Sequence, residues 1–301
     1  MLKRSRLALA LSFSVAVLCG CGGAAESAQP TPATSTTAVK DKKHRFESVK
    51  ADCMKRQGFK YVAYVKPEEQ ETEQDRKVAS GDYEAMRKHR EKYGFGVFSM
   101  FVYPKELRAP EHMGGEAVQD PNIKIQTSLS PAQDTAYRKA KDTCVAQAGK
   151  QVLGLTLKSN MDYFNSVTLA HRQAKTRELD GDAELAELAG VMASCLKGKG
   201  DTVGETKPTV MARLGEDRFM FELDKIGRRQ DDKVPDVAPP RKPGKGMQLH
   251  MPDLTPQDAR PYLGKEIKAA LDDLECGKDF YAIYQPRVSA LQQQINDRYA
   301  F

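Results

Sequence analysis

The chain has 301 residues, a formal net charge of +6, 29% charged residues and 40% hydrophobic residues. That length builds one large or two small domains. The charge is too mild to argue for a nucleic-acid partner. Removing residues 1–20 would take away Lys3, Arg4 and Arg6 and no acid, leaving +3.

The N-terminus reads in three parts. Lys3, Arg4 and Arg6 form a short positive region, and Leu7 to Leu18 is an apolar run broken by Ser12 and Ser14. The run is shorter than the roughly 20 apolar residues that span a bilayer and has the proportions of a signal-peptide core. Leu18, Gly20 and Cys21 follow in the order of a bacterial lipobox, with a branched residue three before the cysteine and a small one just before it. Cys19 is a poorer acceptor because bulky Leu18 precedes it. Residues 1–20 are therefore expected to be a lipoprotein signal peptide, with Cys21 lipidated on the extracytoplasmic face of the cell membrane. Two acyl chains give stable anchoring at ~0.8 kcal/mol per buried CH₂. Residues 21–42, small, polar and Pro-containing, are expected to be a disordered tether with a reach of roughly 25 Å.

The remaining elements follow in chain order. Phe46, Val49, Cys53 and Met54 fall at helical spacing before Gly58. Phe59–Val65 alternates and is rich in aromatic and β-branched residues, which predicts a strand. Residues 67–93 are highly charged and predict one or two exposed helices. Gly94–Tyr103, the most apolar stretch after the signal, predicts a second strand pairing with the first as a short β-hairpin. Residues 104–128 have no clear period. Helical patterns then cover 131–147, 160–178, 182–197, 208–226, 256–275 and 286–299, with a Pro/Lys-rich linker near 228–248. The expected fold is mainly α with a small β element. It divides into a first helical half over 43–150 and a second over 151–301.

Once Cys19 and Cys21 are set aside, Cys53, Cys144, Cys195 and Cys276 remain. An even number in an exported chain, with no C-x-x-C pair and no histidine at ligand spacing, predicts two disulfides rather than a metal site. Four cysteines allow three connectivities. Context favours one of them. Cys53 and Cys195 each sit in a last helical turn closed by glycine, with basic residues in that turn. Cys144 and Cys276 each end a helix opened by Ser130-Pro131 or Thr255-Pro256, where Ser or Thr is the N-cap and Pro the first helical residue. The order repeats, as in a degenerate duplication, and this favours Cys53–Cys144 and Cys195–Cys276.

No catalytic constellation emerges. Gly94-Phe95-Gly96 begins a glycine-rich pattern but lacks its third glycine. There is no G-x-S-x-G elbow, H-E-x-x-H or P-loop. His89 and His171 lie in charged helical segments and read as solvated. Asp180-Gly181-Asp182 reads as a helix-entry turn rather than a calcium loop. No cofactor is expected. Besides the membrane, a cell-envelope protein or polymer is the expected kind of partner.

The order of these segments resembles a group of uncharacterised secreted lipoproteins of actinobacteria. The marks are the lipobox, C-M-x-x-x-G-F-x-Y (Cys53 to Tyr61), Y-G-F-G (Tyr93 to Gly96), Asp120-Pro121-Asn122, Ser128 to Pro131 with Tyr137, Cys195 to Gly200, and Glu275-Cys276. The resemblance implies an address and a cysteine framework, and no mechanism. The expected role is a non-catalytic binding or accessory module of the envelope, with a transporter's solute-binding lipoprotein or an envelope hydrolase as alternatives.

Overall fold

The computed structural model describes residues 35–67, 71–110, 113–115, 119–237 and 249–301, and the described residues are mostly helical. In chain order the helices are α1 (Ser35–Arg56), α2 (Glu73–Ala79), α3 (Tyr83–Tyr93), α4 (Ser99–Val102), α5 (Pro121–Thr127), α6 (Pro131–Ala148), α7 (Asn160–Leu179), α8 (Ala183–Gly198), α9 (Pro208–Met211), α10 (Leu214–Arg229), α11 (Pro256–Cys276) and α12 (Lys278–Tyr299). The lipobox and Cys21 lie outside the described residues, as do residues 238–248 of the linker. Residues 228–229 of that linker close α10, with Arg228 buried.

Local chemistry sets most boundaries. Ser130 caps α6 in a capping box with Gln133, and Pro131 takes the first turn, where its missing N–H costs nothing. Thr255 and Pro256 open α11 in the same way, with the Asp258 N–H donating to the Thr255 hydroxyl. The glycine caps of α1 and α8 match bond for bond. Gly58 has φ +83° and Gly200 φ +93°. The Gly58 N–H donates to Lys55 O and the Phe59 N–H to Met54 O; the Gly200 N–H donates to Lys197 O and the Asp201 N–H to Leu196 O. Both are the paired-bond glycine terminus, which needs a left-handed residue.

The β-hairpin is not formed: no strand occurs among the described residues. Phe59–Val65 forms no regular element, and a side chain takes the place of a partner strand at Val62. The Val62 N–H donates to Asn122 Oδ1 (2.9 Å), and Asn122 Nδ2 donates to Val62 O (3.0 Å). Gly94–Tyr103 folds instead as a turn followed by α4. Its apolar residues are buried because the turn is wrapped by α10 and α11, and a short apolar run carries no period that separates strand from helix. The tether also ends sooner than residue 42, since α1 begins at Ser35 and Lys42 Nζ donates to Asp297 O (2.9 Å). A short helix, α5, stands where residues 104–128 showed no period, and α12 begins eight residues before the expected start and carries Pro286 inside it.

Cys53–Cys144 and Cys195–Cys276 are bridged, with Cα–Cα separations of 5.4 and 5.5 Å. The two closed loops pack against each other. The segment between Cys53 and Cys144 carries α3 and α4, which pack on α11 inside the other loop. The C-terminal end of α12 returns to the cluster around Phe46, Val145 and Tyr163, where the Tyr163 hydroxyl donates to Tyr299 O (2.7 Å).

The two bridges differ in access: Cys53 and Cys144 are buried, whereas Cys195 and Cys276 are half-buried. In a dithiothreitol time course read by alkylation and peptide mass, Cys195–Cys276 opens first. Replacing either pair by serine lowers the unfolding free energy by about 2–4 kcal/mol in urea titrations.

Candidate functional site

The site grows out of α11. Its buried face runs Ala259, Leu263, Glu266, Ala270, Asp273, Leu274, so two acids stand two turns apart on an apolar stripe. Burying a carboxylate is costly unless it is hydrogen-bonded or paired. The structure satisfies each one differently.

Glu266 is fully buried and receives main-chain donors. Phe95 and Val97 donate their N–H groups to Oε1 at 2.8 and 2.9 Å, and Phe98 donates to Oε2 at 2.8 Å. The Gly94-Phe95-Gly96 segment thus does cradle an anion, and the anion is the chain's own side chain. Both glycines have positive φ, which lets successive N–H groups converge on one point. Burial pushes the Glu266 carboxyl above the usual glutamate range, against the pull of the N–H groups of Phe98, Val97 and Phe95.

Asp273 is paired rather than cradled. Its Oδ1 accepts from Arg90 Nη1 at 2.5 Å and from the Tyr281 hydroxyl at 2.7 Å. Arg90 Nη1 also donates to Ala270 O (2.8 Å), and its guanidinium lies 4.6 Å from the Tyr281 ring centre and 5.4 Å from that of Phe95. Burial raises the Asp273 carboxyl, opposed by Arg90 and Tyr281 and reinforced by the charge of Asp201. Among the described residues nothing donates to Oδ2.

Beside Asp273 lies a cavity of about 580 Å³. The end of α8 and the segment after it contribute Leu196, Gly200, Asp201 and Thr202; α9 contributes Val210; α10 contributes Leu214, Gly215, Asp217, Arg218 and Phe221; Phe95, Ala269 and Asp273 complete the wall. Phe95 lies flat against α10 because residue 215 is glycine, where a Cβ would meet the ring at 2.0 Å. Asp201 pairs with Arg218 at 2.5 Å, and Asp217 with Arg213 at 2.9 Å. The volume falls within the roughly 300–1,000 Å³ of small-molecule pockets, and the mixture of apolar wall and a few polar groups is their usual make-up.

The residues singled out in the sequence fall elsewhere. The four cysteines are cross-links, and Cys195 with Cys276 borders the cavity without lining it. His89 is half-buried against Tyr93, and burial lowers its pKa; His171 Nε2 lies 3.0 Å from Asn296 Oδ1. Neither is a freely solvated side chain. Asp182 caps α8, and Asp180 accepts from the Thr209 N–H (2.9 Å) and hydroxyl (2.8 Å). Sequence reasoning missed Glu266, Asp273 and Arg90. The usable signal was the pair of acids on the apolar stripe of α11. No protein-family model, curated protein or solved structure matches the chain.

Removing the Glu266 carboxylate leaves three buried N–H groups unpaired, so Glu266→Ala lowers stability by about 3–5 kcal/mol. Glu266→Gln costs less, about 1–3 kcal/mol, because its oxygen keeps two donors while its NH₂ faces the third. Urea unfolding followed by circular dichroism checks both, and equal losses would refute the cradle.

Proposed function

We propose that the chain is a lipid-anchored envelope protein of the binding or accessory kind, held on the extracytoplasmic face of the cell membrane through Cys21, with the cavity between α8, α10 and α11 as its ligand site. The observation that carries the binding reading is that cavity: apolar walls, a buried carboxylate with one unpartnered oxygen, and a charged pair beside it. The anchor reading rests on the order of Lys3, Arg4, Arg6, the Leu7–Leu18 run and Leu18-x-Gly20-Cys21, and the two cross-links suit an oxidising compartment. The likeness to secreted actinobacterial lipoproteins belongs to the same proposal. So does descent from a duplication, which the matched glycine caps of α1 and α8 support.

A binding role accounts for the cavity better than catalysis does. Among the described residues, Ser, Cys and His are missing from its lining, and its acids are tied to arginines. An envelope hydrolase is the second reading because Asp201 and Asp273 share one cavity, the pairing that acid–base hydrolysis uses. A solute-binding lipoprotein of the two-lobed α/β kind draws no support from a described fold without strands.

Cys21→Ala transfers the protein from the membrane pellet to the soluble fraction and removes the acyl mass from the N-terminal peptide. An unchanged pellet fraction and an unmodified N-terminal peptide in the wild type would reject the anchor. Screening metabolites and cell-wall fragments by thermal shift tests the cavity. A ligand at 100 times its Kd adds ~2.7 kcal/mol, and Ala269→Phe, which fills the cavity, removes that gain.

A further inference from the structure

We propose that the cavity takes an organic cation, an amine or guanidine nitrogen carried on an apolar body, with Asp273 Oδ2 as its acceptor. This rests on the reading of the cavity as a ligand site and adds the chemical class of the ligand.

Three observations lead there. Among the described residues, Asp201, Asp217 and Asp273 line the cavity against a single lining guanidinium, Arg218. Arg218 is already paired with Asp201, and the partner of Asp217, Arg213, lies outside the lining with more than half its side chain exposed. An anionic ligand would meet three carboxylates and find the lining cation engaged. The second observation is the asymmetry of Asp273. It is 3% exposed, and both donors it receives, Arg90 and Tyr281, reach Oδ1. A carboxylate has room for about four donors over two oxygens, so a buried acid that lines a cavity with Oδ2 open presents an unused acceptor. Arg90 does not fill that place, since Nη1 is shared between Asp273 Oδ1 and Ala270 O.

The third is the composition of the walls. Phe95 and Phe221 offer ring surface, and Leu196, Leu214 and Ala269 offer aliphatic surface. A cation beside a ring gains attraction in addition to its ion pair, while the aliphatic wall takes the apolar body. Phe95 already sits beside one cation, Arg90 at 5.4 Å. A nitrogen bound at Oδ2 would extend that arrangement by one further cation–acid step.

The test uses the purified full-length protein and three probes of one shape: tryptamine, the neutral tryptophol and the anionic indole-3-propionate. Binding is read by ligand-observed NMR and calorimetry. Tryptamine binds saturably, tryptophol at least about tenfold more weakly, and indole-3-propionate not measurably. Asp273→Asn weakens tryptamine at least about tenfold without changing tryptophol. Asn at 273 also disturbs the Arg90 pairing, so Asp201→Asn, at a partly exposed position, serves as the second variant, with a several-fold loss for tryptamine alone. The proposal is overturned if tryptamine fails to saturate or if the anion binds as tightly as the amine. It is also overturned if both variants fold and hold tryptamine unchanged. Tryptophol or the anion binding as tightly as tryptamine, in a way that Ala269→Phe abolishes, would keep the cavity as a ligand site while removing the cation. Failure of all three probes, with no thermal shift from the metabolite screen, would remove both.

Discussion

Two carboxylates on the buried face of α11 hold together segments that lie about 170–180 residues apart in the chain. Glu266 gathers the main-chain N–H groups of the turn after α3, and Asp273 takes the guanidinium from α3 itself. Remove them and α3 and α4 lose their register on α11, Phe95 loses its place against Gly215, and the wall of the cavity goes with it. Charged acceptors suit this task better than apolar packing alone. Hydrogen bonds to a carboxylate are directional and stronger than neutral ones, and they take the N–H groups of Phe95, Val97 and Phe98 in the turn after α3. The apolar cluster of Val97, Phe98, Phe101, Phe219 and Leu263 then packs around a turn already held in position.

The glycine pattern shows how one local geometry serves opposite ends. Consecutive N–H groups converging after a positive-φ glycine make an anion site in many nucleotide-binding loops. Here the same convergence is closed from within by Glu266, so it is a structural joint. The missing third glycine and the missing long helix after it mark the difference, because α4 is a single turn. A pattern that looked like an incomplete ligand motif was a complete intramolecular one.

Much of the helical framework was legible in the sequence, and for stated reasons. Capping residues and terminal glycines act within a few residues of themselves, so Ser130-Pro131, Thr255-Pro256, Gly58 and Gly200 announced the ends of α6, α11, α1 and α8, and through them the cysteine pairing. The failures were all non-local. Phe59–Val65 has the composition of a strand, yet Val62 at its middle exchanges both backbone bonds with one asparagine on α5 rather than with a partner strand. Gly94–Tyr103 is apolar because α10 and α11 surround it, which no period within it records. The helical pattern over 286–299 missed the first turns of α12, where the packing of Phe280, Tyr281 and Tyr284 carries the helix from Lys278 through Pro286. Asp273 and Arg90 reveal their role only when α3, from one cysteine loop, is seen to pack on α11, from the other.

Each of the matched caps borders a cavity, Gly58 and Phe59 one of about 480 Å³ and Gly200 and Asp201 the one of about 580 Å³. In both, the residue six beyond the cysteine leaves the helix under the same pair of bonds. After Cys53 that residue is Phe59, whose ring packs edge-on against Tyr137 at 5.5 Å and joins the cluster around the bridge. After Cys195 it is Asp201, which turns to Arg218 across the cavity mouth. Asp273 lies one helical turn before Cys276, so the Cys195–Cys276 bridge, with its Cα atoms 5.5 Å apart, sets the spacing of the two carboxylates through two short rigid segments. A covalent brace at that point keeps two like charges close without their mutual repulsion spreading α8 from α11. It also means that a ligand entering between them meets a wall whose ordering cost was met on folding, which is the condition under which a small cavity binds with useful affinity.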